Sequence, residues 1–198
     1  MPRLRALPRS LFDAEGTGMT PLKQLAERLR APAVLVGVGN ELRGDDAVGV
    51  LAARRLANTL SEEQVSGKLS AVESGPVPES YLGPILQNRP QQVVFCDAVD
   101  FGGAPGEWRV FEMDDQSAAC VSTHNSSLAL LSKVLLAEGV SDVFLLGIQP
   151  KQTSFGSPCS REVLAAVEEV VAALLAWAVG WGQVEVSMAG QETHQAAD

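Results

Sequence analysis

The sequence predicts an α/β fold: a single-domain three-layer sandwich, with a mostly parallel, twisted sheet between helices on both faces. Short, continuously apolar runs such as VLVGV (34–38) and DVFLLGI (142–148) have the composition of strands covered on both sides. Segments with helical apolar spacing alternate with them, as crossovers between parallel strands require. The chain has 198 residues, 46% hydrophobic and 20% charged, which suits one sizeable core and excludes a low-complexity or repeat architecture.

Each element has its own signal. In MTPLKQLAERLRAP, Thr20 is an N-cap, Pro21 takes the first helical position, and Leu22, Leu25 and Leu29 share a face, with Pro32 as the stop. VLVGV follows as the first strand. Val48, Leu51, Ala52, Leu56 and Leu60 then mark a helix whose apolar stripe excludes Arg54 and Arg55. KLSAVES (68–74) is a second strand, PESYLGPILQN a short helix interrupted by Gly83 and Pro84, and QQVVFCD (91–97) a third strand. EWRVFEM alternates apolar and polar residues, which predicts an edge strand or hairpin. A helix from Ser127 to about Glu138 presents Leu128, Leu131, Val134 and Leu135, and DVFLLGI is the next buried strand. The last helix runs from Ser160 to about Val179 with Val163, Val167, Val170, Leu174 and Ala178 on one face. The α/β domain is expected over residues 19–182, between a loose tail (1–18) and a polar C-terminal tail (183–198).

Composition narrows the partners. A formal net charge of −9 and a pI near 4.7 disfavour nucleic acid and anionic membranes, which need clustered Lys and Arg. The longest apolar helix carries Glu168 and Glu169 at its centre, so it is a core helix and no membrane insertion is expected. Cys96, Cys120 and Cys159 are odd in number and form no C-x-x-C pair, which argues against a disulfide framework or zinc knuckle and for a reducing cytoplasm. The basic start lacks an uninterrupted apolar stretch of the signal-peptide kind. A monomer is the expected state.

The stretch VLVGVGNELRGDDAVGV (34–50) leads from strand to helix through a glycine-rich loop. A dinucleotide turn would put its third glycine at Leu42, and the acidic pair Asp45-Asp46 lies where pyrophosphate would meet helix N–H groups. No Gly-Lys-Ser/Thr follows, so a phosphate loop is disfavoured. Asp45 is expected to cap the helix. One cap needs one carboxylate, which leaves Asp46 for another task.

Ligands of open α/β sheets gather beyond the carboxyl ends of the strands. Asp46 follows the first strand there, Asp97 ends the third strand with Cys96 pointing to the opposite face, and His124 lies in VSTHNSS just before a helix. Two carboxylates and an imidazole suit a divalent ion such as nickel or zinc and leave positions open for substrate. Singly, Asp97 has an alternative role in bonding loop amides, and His124 in starting a helix. Asp100 is the nearest competitor to Asp97, His194 lies in the tail, and a Cys120–His124 nucleophile pair lacks a third member.

The pieces GVGNELRGDDAVG, VVFCDAVD, STHNSSL and VFLLGIQPKQTSFG resemble, in order and spacing over roughly residues 33–180, the hydrogenase maturation proteases, nickel-dependent endopeptidases of the [NiFe] hydrogenase system. GIQP and STHN are most similar to the branch serving formate hydrogenlyase-type hydrogenases. Ala47, where a glycine is common, is a departure. The resemblance implies that Asp46, Asp97 and His124 are the metal-contacting and catalytic positions. It implies removal of a C-terminal extension from the precursor of a hydrogenase large subunit after nickel insertion, with the nickel delivered by the precursor. A site without thiolate grips an ion weakly unless the precursor shares ligation. The expected chemistry is metal-assisted hydrolysis, with Asp46 or Asp97 as proton acceptor and activity falling below about pH 6 as ligands protonate. Gly37, Gly39 and Asn40 are expected to shape a substrate loop and to offer a donor to developing negative charge. The rival reading keeps the same ligands in a non-catalytic, nickel-sensing chaperone of the precursor.

Overall fold

The computed structural model describes residues 20–62, 67–87, 89–113 and 125–180. Helix α1 (Pro21–Arg28) starts as its sequence dictates: the Thr20 side chain accepts from the Lys23 N–H at 3.2 Å, with proline in the first turn. It ends a turn before Pro32, its cap N–H on Leu29 returning to Leu25 O. Strand β1 (Ala33–Val38) is buried along its whole length and leads, through a 3-10 turn at Gly44–Ala47, into α2 (Val48–Glu62). Then come β2 (Leu69–Gly75), a 3-10 turn at Pro78–Tyr81, α3 (Leu82–Leu86), β3 (Gln92–Ala98) and β4 (Trp108–Glu112). Helix α4 (Asn125–Ala137), β5 (Asp142–Ile148) and α5 (Arg161–Ala178) complete the described chain.

The sheet order is β2-β1-β3-β5-β4. All neighbours run parallel except β4, which pairs antiparallel with β5 at the edge, as the alternation in EWRVFEM predicts. Strand parity sorts the core into two layers. Leu35, Val94, Cys96, Phe144, Leu146 and Ile148 face α1, α2 and α5. Val34, Val36, Phe95 and Leu145 face α3 and α4. Burying a side chain such as Leu35 or Phe95, both at 0% exposure, contributes about 1.5–3 kcal/mol. The predicted stripe of α5 is wholly buried, while Glu168 on its far face meets Arg55 at 3.2 Å.

Two glycines set how closely α2 lies on the sheet. A Cβ on Gly49 would stand 1.9 Å from Cys96 O and 2.3 Å from Val38 O; one on Gly37 would stand 2.1 Å from Gly49 O. The first turn of α2 therefore rests directly on the backbone of β1 and β3. At the opposite end of the sheet, Arg28 binds Asp142 at 2.9 Å and Glu112 at 2.8 Å, and stacks 4.4 Å over the Phe144 ring. Gln92 donates to Asp142 at 2.7 Å and to Arg28 O at 3.1 Å. This network ties α1 to the starts of β3 and β5.

The expected tails fall on residues outside those described. Among the described residues, no helix is long and apolar enough to cross a membrane.

Candidate active site

From β1 the chain moves to β2 on one side and then to β3 on the other, so the strand order reverses between β1 and β3. A crevice at the carboxyl ends of the strands opens at such a reversal. Asp46 lies in the 3-10 turn after β1, and Asp97 is the penultimate residue of β3. The topology thus places Asp46 on the connection that follows β1 and Asp97 at the end of β3, the two strands that flank the reversal. Both are nearly or fully buried, at 3% and 0% exposure. His124, the third member expected, lies outside the described residues, as do Cys120 and His194. No group of three potential metal-binding side chains occurs among the described residues.

The loop carrying Asp46 is held by its own backbone. Asn40 N–H donates to Asp46 O at 3.1 Å and to Asp46 Oδ2 at 3.2 Å, and Asp46 N–H donates to Arg43 O at 3.1 Å. Asn40 Oδ1 accepts from Leu42 N–H at 3.0 Å, a local turn typical of this side chain. Gly39 has φ +136°, and a Cβ there would lie 1.8 Å from Asp46 O, so no other residue lets the loop close. The backbone N–H groups of residues 37, 39 and 40, expected to shape the loop and offer a donor, are engaged within the fold. Gly37 lies within β1, Gly39 N–H donates to Gly75 O at 3.1 Å, and Asn40 N–H is taken by Asp46. The Gly37 carbonyl also accepts from the buried Ser74 hydroxyl at 2.9 Å.

Asp45 departs from expectation too. No side-chain bond caps the turn at Gly44–Ala47. The Asp45 carboxylate, 0% exposed, points instead to the β5–α5 connection. It accepts from Lys151 N–H at 2.8 Å, Gln152 N–H at 3.0 Å, Ser160 N–H at 2.6 Å and the Ser160 hydroxyl at 3.1 Å. Burial disfavours its charge, but the bonds from Ser160, Gln152 and Lys151 outweigh that and hold the carboxyl below the usual aspartate range. Ser160, expected to begin α5, accordingly makes no side-chain cap there. The nearby Cys159 thiol is pushed up to about 12, by burial first and then by Asp45.

Gln149 is a second residue whose part was unforeseen, although its motif GIQP was recognised. Its Oε1 accepts from Phe101 N–H at 2.9 Å and Gly103 N–H at 3.1 Å, and its Nε2 donates to Asp100 Oδ1 at 3.0 Å. Asp100, the competitor to Asp97, is exposed and used in this turn. A polar residue directly after a buried apolar run was the available signal, the same one that singled out Asp97. Arg54 braces the other flank, reaching Glu41 at 2.6 Å and Glu73 at 2.7 Å. Cys96 faces the α2 layer, and burial, then the Asp97 charge, raises its thiol far above the ordinary cysteine range, which leaves it inert.

Comparison with known proteins places the chain in a family. Residues 50–177 match the family model for HycI, hydrogenase maturation protease. The chain is 33% identical to the hydrogenase 3 maturation protease of Escherichia coli K12 over 156 residues, which cover 78% of this chain and 96% of that protein. The crystal structure of the [NiFe] hydrogenase maturation protease HycI from Thermococcus kodakarensis KOD1 is similar with a TM-score of 0.66 and 32% identity, covering 78% of this chain and 97% of that one. A crystal structure of the hydrogenase 3 maturation protease is similar with a TM-score of 0.58 and 33% identity, over 71% of this chain and 87% of that one. With a matching family model, this identity and a shared fold, the chain belongs to the hydrogenase maturation proteases, in the HycI branch.

Proposed function

We propose that the crevice between Asp46 and Asp97 carries out the family's endopeptidase reaction on one substrate class: the precursor of a [NiFe] hydrogenase large subunit, from which it removes a C-terminal extension after nickel insertion. The observation that carries this reading is the position of two buried carboxylates, one on the turn after β1 and one at the end of β3, beside the β1/β3 reversal. A chain terminus can enter such a crevice in extended form, and a buried acid there can take up a proton from an attacking water.

Nickel enters as part of the substrate. The donor set fits an ion held jointly with the precursor: Asp46 and Asp97 supply hard oxygen donors, His124 an imidazole, and the Cys96 thiol faces the other layer. When bound, the ion supplies charge stabilisation at the scissile carbonyl or a more acidic water. The protein's own share is placement. The Asn40 bonds fix the turn that bears Asp46, and the β3 ladder fixes Asp97 opposite Gly147 of β5. Either carboxylate serves as proton acceptor. Within this reading the protein acts as a cytoplasmic monomer.

The test is the mass of the large-subunit precursor, nickel-loaded and nickel-free, before and after incubation with the protein. Loss of a C-terminal peptide from the loaded form alone is the expected result. An intact loaded precursor that stays bound would instead identify a nickel-sensing chaperone.

A further inference from the structure

Asp45 and Asp46 are neighbours in sequence, yet only Asp46 belongs to the crevice chemistry proposed above. Asp45 spends its whole carboxylate on a segment more than a hundred residues away. Oδ2 receives Lys151 N–H, Gln152 N–H and the Ser160 hydroxyl, and Oδ1 receives Ser160 N–H. The backbone adds two further bonds across the same seam, Asp45 N–H to Gln152 O at 2.9 Å and Gly156 N–H to Leu42 O at 2.7 Å. Both faces of the seam end in exposed apolar side chains, Leu42 at 62% and Phe155 at 75% exposure.

We infer that Asp45 is a positioning residue, which locks the β5–α5 segment to the turn bearing Asp46 so that both form one rigid wall of the crevice. The inference rests on the reading of Asp46 as a working residue. Its physical basis is the arrangement of donors. Three N–H groups and a hydroxyl converge on two oxygens, and an ionised carboxylate is the side chain that accepts from all of them at this size. In Asp45→Asn the amide nitrogen must face either Ser160 N–H or the Lys151 and Gln152 N–H groups, so at least one part-buried donor opposes a donor. The 3-10 turn then loses its reference on the far side while its Asn40 bonds remain. Asp46, one residue on, changes aim. Misplacing a reacting group by even about 1 Å lowers turnover by up to about a hundredfold.

The experiment is steady-state cleavage of nickel-loaded precursor by Asp45→Asn, Ser160→Pro, Asp142→Asn and Asp46→Asn, each normalised to folded protein by circular dichroism. Ser160→Pro leaves Asp45 intact and deletes the 2.6 Å donor, at a residue whose φ of −73° proline adopts. It serves in place of Asp45→Asn if that variant does not fold. Asp142→Asn breaks a polar network at the opposite end of the sheet and controls for stability loss. The expected result is a kcat at least about tenfold lower for the Asp45 or Ser160 variant, with KM within about threefold, and wild-type kcat for Asp142→Asn. A folded Asp45→Asn or Ser160→Pro enzyme with wild-type kcat overturns the inference. So does an Asp142→Asn enzyme whose kcat falls in the same proportion to its loss of thermal stability. Asp46→Asn separates the two levels: if it cleaves like the wild type, the site assignment itself fails.

Discussion

Asp45 accepts a 2.6 Å hydrogen bond from the Ser160 N–H, 115 positions along the chain, and thereby joins the first and last connections of the sheet's carboxyl end. The same carboxylate lies against the Cys159 thiol. A thiol held near 12 is thiolate only in about one part in ten thousand at pH 8, against about a quarter for a free cysteine. Native protein treated with iodoacetamide at pH 8 is therefore expected to modify Cys159 about a hundredfold or more slower than a peptide cysteine, read by peptide mass. Fully buried Cys96 is expected to remain unmodified. Rapid labelling of Cys159 in folded protein would contradict the packing of this seam.

The contact between Gly49 and the strand backbone sets a second expectation. At Gly49 a methyl group meets two carbonyl oxygens, which have no flexible side chain to move aside. Gly49→Ala is expected to destabilise the fold by about 3 kcal/mol or more, at the upper end of overpacking costs, and to displace the turn before α2. Gly83→Ala, where a Cβ meets nothing within 4 Å, is the comparison and is expected to be neutral or slightly stabilising. Urea unfolding of both variants measures this.

Acid stability follows from Asp142. Its bonds from Arg28 come first, and with those from Gln92 they outweigh burial and hold the carboxyl below the usual range. A depressed folded value means that the contribution is present above the unfolded value near 4 and is lost as pH falls through the folded one. Because both partners are partly exposed, about 1 kcal/mol is expected. Wild type should exceed Asp142→Asn by that amount in unfolding experiments at pH 7, and the gap should narrow as pH falls below the unfolded value near 4. A gap unchanged at pH 3 would contradict the ion pair.

Much of this architecture is legible in the residue pattern because periodicity and local chemistry agree. DVFLLGI folds as the strand it reads as, and Thr20-Pro21 begins the helix it marks. Asp97 is legible because a carboxylate closing a buried run has to emerge at the sheet's end. What escaped was long-range bonding. Asp45 before a helix looks like a cap, since nothing in the neighbouring residues reveals donors on Lys151 and Ser160. Likewise, the amides around Gly39 and Asn40 look available until the loop closes on Gly75 and Asp46. Strand order is nonlocal as well, and it alone shows that Asp46 and Asp97 flank the reversal.

Side chains 46, 97 and 124 are expected to work together in the crevice. The most direct measurement is the mass of nickel-loaded large-subunit precursor after incubation with folded Asp46→Asn, Asp97→Asn and His124→Ala variants beside the wild type. The prediction is that the wild type releases the C-terminal peptide while each variant is at least about a hundredfold slower and unfolds within a few degrees of it. Wild-type cleavage by any of the three would contradict the account.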